Sequence, residues 1–139
     1  MLLEVLVSIL IFAFGVLAVV GLQASSARES AQAKYRADAM MLVNDLVGRM
    51  WASSRSSAAL SAAFATDGSG TSYNAWLASA QATLPGIDTA QTTIVITPVA
   101  SGVAGAPSTT RVVITLVWKA PNESSGSPSH SITVDTQIT

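Results

Sequence analysis

The chain has 139 residues, half of them hydrophobic, and a formal net charge of −1 from seven basic and eight acidic side chains. So thin and balanced a charge argues against nucleic acid as a main partner, because phosphate binding needs a clustered basic surface. With no cysteine and a single histidine, His130, disulfides and thiolate or multi-histidine metal sites are excluded, a histidine triad is disfavoured, and no enzyme activity, metal or cofactor is expected.

The apolar content is concentrated at the start. Glu4 is the only charge in the first 27 residues and heads an apolar run from Val5 to Leu22, interrupted only by Ser8, Gly15 and Gly21. Eighteen helical residues at about 1.5 Å each reach roughly 27 Å, close to the hydrocarbon thickness of a bilayer. The run fits a cleaved signal peptide, a permanent anchor, a buried core helix or a polymerising helix. A signal peptide has a basic n-region and a shorter apolar core; here there is no Lys or Arg before Arg28, although Ala24-Ser25-Ser26-Ala27 resembles a cleavage site. A domain this small could hardly cover a helix apolar on all sides. Membrane residence at some stage is the better reading, with Leu6, Ile9, Phe12, Leu17 and Leu22 packing in lipid or against other helices.

Nothing then stops the helix. No Pro occurs before Pro85, and no Gly stands between Gly21 and Gly48. Residues 23–52 are mostly good helix formers, and Tyr35, Ala39, Leu42, Leu46 and Met50 recur on one helical face. The expectation is one helix of roughly 50 residues, divided into an apolar part (1–27) and an amphipathic part (28–52), followed by a head (53–139). Within the head, 53–65 reads as a small-residue, partly helical connection closed by a turn at Asp67-Gly68-Ser69-Gly70. A short helix from about Ser72 to Leu84 ends at Pro85-Gly86. Three alternating stretches, Thr92–Thr97, Arg111–Lys119 and Ser131–Ile138, read as strands, separated by polar loops Pro98–Thr110 and Pro121–His130. The fold class expected is α+β: a long N-terminal helix, its second half packed on a small antiparallel sheet through Tyr35, Leu42, Leu46, Met50 and Trp118.

This arrangement resembles the type IV pilins. Leu2-Leu3-Glu4-Val5-Leu6-Val7 is similar to their leucine-rich start, and Gly15–Gln23 and Tyr35–Met50 resemble the corresponding segments of PilV-type minor pilins, as does the late Val112-x-Ile114-x-Leu116-x-Trp118-Lys119 strand. The resemblance implies a structural subunit that primes pilus assembly and joins the tip complex, supporting adhesion and twitching motility. Implied partners are other minor pilins, the major pilin, the inner-membrane assembly platform and the prepilin peptidase. The implied location is the inner membrane with the head in the periplasm, then the pilus. In that family a leader ending in Gly is removed, the new first residue is methylated, and the glutamate stands fifth; here it is fourth. Either Met1 holds the family's second position, with the leader and first residue ahead of it, or the start has been altered. Glu4 is the implied assembly residue, paired with a neighbour's terminal amine. The start is equally similar to minor pseudopilins of the type II secretion system, and a secreted binding domain with a cleaved signal is the reading from another class.

Simpler roles stand beside these. Glu4 also suits an interfacial helix start. Trp51, Trp76 and Trp118 read as core or helix–sheet contacts, and His130 as a solvated loop residue. Asn122-Glu123-Ser124 matches a glycosylation sequon that has no bearing in most bacteria. Asp67–Gly70 lacks the spaced carboxylates of a calcium loop. Arg28, Lys34 and Arg36 fit lipid headgroups or a solvated face equally.

Overall fold

A computed structural model describes residues 2–100, 109–121, 123 and 126–139. Helix α1 runs from Leu2–Ala52, followed by α2 (Ser57–Ala63), α3 (Thr71–Thr83) and strands β1 (Thr93–Val99), β2 (Thr109–Trp118) and β3 (His130–Ile138). The chain divides into two compact units, Met1–Lys34 and Tyr35–Thr139. The amphipathic part of α1 from Tyr35 onward therefore belongs with the head.

The first unit is the beginning of α1. It is long and apolar enough to span a membrane, and none of its most apolar stretch is buried. Ser8 lies within this stretch, and its hydroxyl donates to the Glu4 carbonyl at 2.8 Å. That local bond satisfies the one polar side chain of the run without help from water.

The second unit is a helical layer on a three-stranded sheet of order β1-β2-β3, antiparallel throughout. Period-two alternation explains the sheet. Val112, Ile114, Leu116 and Trp118 of β2 face inward and are buried, flanked by Ile94 and Ile96 of β1 and by Ile132, Val134 and Ile138 of β3. Against them pack Ala39, Leu42, Val43, Leu46 and Met50 of α1, Leu60 and Phe64 of the α2 segment, and Tyr73, Trp76, Ala80 and Leu84 of the α3 segment. This is an α+β layout with a long N-terminal helix whose second half packs on a small antiparallel sheet.

Caps and turns place the connections. α1 ends where Ser53 bonds back to the Met50 carbonyl through its amide (3.2 Å) and its hydroxyl (2.8 Å). Ser56 caps α2 by accepting the Ala59 amide. Asp67 accepts the amide and hydroxyl of Ser69 at 2.9 and 2.6 Å, closing the turn before α3. The C-terminal end is tied down by Arg55, which donates to the Thr139 carbonyl at 2.7 Å.

Strand ends differ from expectation in instructive ways. β1 continues through Pro98 to Val99, and β2 begins at Thr109, so both reach into the stretch read as a loop. Pro98 is tolerated because β1 is an edge strand, where a missing N–H costs no ladder bond when it faces outward. Residues 101–108 lie outside the described residues, as do Asn122 and Ser124 of the sequon.

Candidate functional site

Glu4 sits in the first turn of α1, where the unpaired amides and the helix dipole favour a carboxylate. Its side chain is exposed and makes no ion pair among the described residues. Around and behind it, fifteen large apolar side chains from Leu2 to Leu22 are exposed. The expected packing residues Leu6, Ile9, Phe12, Leu17 and Leu22 are all among them, with Phe12 and Leu22 each 72% exposed. They point to several sides of the helix. Along one side Phe12, Gly15, Val16, Val19, Val20 and Gln23 line a shallow groove, open because a side chain is missing at Gly15. A contiguous apolar surface of this extent marks a membrane or protein contact. The arrangement offers one carboxylate at the end of an apolar rod. It can accept a cation or hydrogen-bond donors.

In the head, Leu46 and Met50 are fully buried, Leu42 and Trp118 nearly so, and Tyr35 packs half-buried against the core. Trp51, expected in the core, is exposed. It follows Met50 by about 100° around the helix, which turns it off the buried stripe of Leu42, Val43, Leu46 and Met50. Trp76 is wholly buried and donates its indole N–H to the Leu42 carbonyl of α1 at 3.1 Å. Arg28, Lys34 and Arg36 are exposed along α1.

His130 corrects the reading of a solvated loop residue. It is the first residue of β3, opposite Trp118 in the register, with ring centroids 5.8 Å apart. Its Nε2 lies 2.6 Å from Glu123 Oε1, and both side chains are largely covered. Glu123 also accepts the Ala120 amide at 3.3 Å. The pair thus clamps the β2–β3 connection. Extending the inward alternation of Ile132 and Val134 back by two residues points to His130; its partner Glu123 carries no such signal. A second pair, Arg111 Nε with Asp135 Oδ1 at 3.0 Å, bridges β2 and β3 on the outward face. Among the described residues no three His, Asp or Glu side chains are grouped to hold a metal ion.

Both pairs give the head a modest sensitivity to acid. The His130 hydrogen bond holds the Glu123 carboxyl below the ordinary glutamate range, against the opposing effect of burial. The Arg111 hydrogen bond likewise holds Asp135 below the ordinary aspartate range. A depressed folded-state pKa contributes stability that is present above the unfolded pKa and lost as pH falls through the folded one. The urea midpoint of the head is therefore expected to hold steady above about pH 5 and to fall progressively below about pH 4. Glu123→Gln should flatten part of that acid limb; an unchanged pH profile would contradict the clamp.

No protein-family model, curated protein or solved structure matches this chain.

Proposed function

We propose that this chain is a membrane-anchored structural subunit of a type IV pilin-like filament, of the minor pilin kind. One observation carries the reading. A single helix combines an exposed apolar first part, headed by Glu4 with no ion pair among the described residues, with a second part that contributes to the core of a sheet domain. An apolar rod of that kind suits lipid before assembly and the packed helices of a filament afterwards. A carboxylate in either low-dielectric setting is costly unless a cation meets it. The terminal amine of a neighbouring subunit supplies that cation and sets the axial register between helices.

In this reading the head stands in the periplasm while α1 is in the inner membrane. Other minor pilins, the major pilin and the assembly platform are its partners, and a prepilin peptidase prepares its start. Adhesion and twitching motility then depend on it through the tip complex.

The test uses Glu4→Ala and Glu4→Gln in the native host. Membrane association should be unchanged, because removing a charge favours insertion. Co-purification with the other pilin-like subunits should fall by about tenfold or more, since one partner of a desolvated pair is lost. Normal co-purification of either variant overturns the reading. Partners that prove to be secretion pseudopilins move the chain to the type II secretion system, and a mature protein starting at Arg28 makes it a secreted domain.

A further inference from the structure

The sheet has two edges, and the fold treats them differently. The β1 edge carries Pro98 and has α2 packed beside it. The β3 edge carries a single charge, Asp135, which is engaged by Arg111 of the neighbouring strand, and among the described residues little else that deters pairing. Its nine residues, His130 to Ile138, contain no Pro and no Lys, and their alternation is unbroken. Among the described residues no strand pairs with its outer side. Ile132 and Val134 remain only half-buried at this edge. A further strand would cover them.

We propose that the β3 edge pairs antiparallel with the β3 edge of a second copy of this chain, joining the two sheets into one of six strands. Full overlap of the nine residues puts Val134 on the two-fold axis. It sets Ile132 against Thr136, Thr133 against Asp135 and Ser131 against Gln137, each with its counterpart from the other copy. Every pair then lies on the same face, as antiparallel neighbours must. Val134 meets its own copy on the helix side, with Ile132–Thr136 and His130–Ile138 beside it, and the wholly polar pairs Thr133–Asp135 and Ser131–Gln137 fall on the outward side. The strand's one carboxylate faces a hydroxyl rather than its own copy. Shifting the centre to Asp135 would oppose the two carboxylates and shorten the overlap, so the longest register is also the one free of charge conflict.

This pairing does not depend on the filament reading. Directly opposed residues on antiparallel strands lie within disulfide reach, and the chain has no cysteine of its own. Full-length protein carrying Val134→Cys, oxidised in native membranes, should give a disulfide-linked homodimer. Thr115→Cys, outward on the central strand, should give none. Adding Thr133→Asp to Val134→Cys opposes two pairs of like charges and should cut dimer yield about fivefold or more, whereas Thr133→Lys should keep or raise it. Thr133 is exposed, and an unchanged urea midpoint in both charge variants shows that the head is intact. Monomer alone from Val134→Cys, equal yield from Thr115→Cys, indifference to the charge at Thr133, or disulfide capture of a different protein would each overturn the proposal.

Discussion

Trp76→Ala should destabilise the head by about 3–5 kcal/mol, the cost of emptying a fully buried indole site. Trp76 is wholly covered, lies 5.8 Å from the Tyr73 ring, and reaches the Leu42 carbonyl on α1. It therefore joins α3 to the amphipathic half of α1 by packing and by one directed bond. Trp76→Phe separates these contributions. The Leu42 carbonyl keeps its helical partner when the indole N–H is lost, so no buried acceptor is orphaned, and the loss should be only about 1–2 kcal/mol. Urea unfolding of the detergent-solubilised protein, followed by near-ultraviolet circular dichroism, checks both values. Equal effects of Ala and Phe would mean that the hydrogen bond, not the packing, secures α3.

Gly86→Ala should cost about 2–4 kcal/mol, for two reasons acting together. Gly86 has φ +85°, and a Cβ there would run into the Lys119 carbonyl oxygen. The backbone cannot easily move away. Gly86 accepts the Lys119 amide at 2.9 Å, Asp88 donates to the Val117 carbonyl at 2.9 Å, and Ile87 bridges to Trp118. This turn pins the exit of α3 to the end of β2, beside the strand end where Trp118 meets His130. Gly68 is the internal control. Its φ of +94° is similar but a Cβ there meets nothing, so Gly68→Ala should show the left-handed strain alone, about 1–2 kcal/mol. The same unfolding experiment reads both variants. Equal losses at the two glycines would show that the collision contributes nothing.

The elements that were legible in the sequence are those specified by short-range patterns. α1 could be read because nothing between Leu2 and Ala52 breaks a helix, and the Leu42–Leu46–Met50 spacing named its buried side. β2 and β3 could be read from strict alternation. What escaped was set by register and by rotation about an axis. Trp118 and His130 are twelve positions apart, and only the antiparallel pairing of β2 with β3 makes them neighbours. Arg111 and Asp135 meet for the same reason. Trp51 lies outside the core because neighbouring helical positions differ by about 100°, so a residue next to a core residue is not thereby in the core. Gly86 announced a turn, but the carbonyl that demands glycine there comes from Lys119, far along the chain.

The candidate site was legible for a different reason. A lone carboxylate heading an apolar run is visible without any tertiary information, and the fold adds that the run is exposed and that its continuation anchors a head. The most direct measurement places a photo-crosslinking amino acid at Leu6, two residues and about half a turn from Glu4 on the exposed helix, in full-length protein in native membranes and in sheared filaments. Adducts to the apolar helices of other pilin-like subunits are expected, and are expected to be lost when Glu4→Ala is added while the protein stays in the membrane. Absence of any such adduct, or recovery of a soluble protein lacking residues 1–27, would contradict the filament reading.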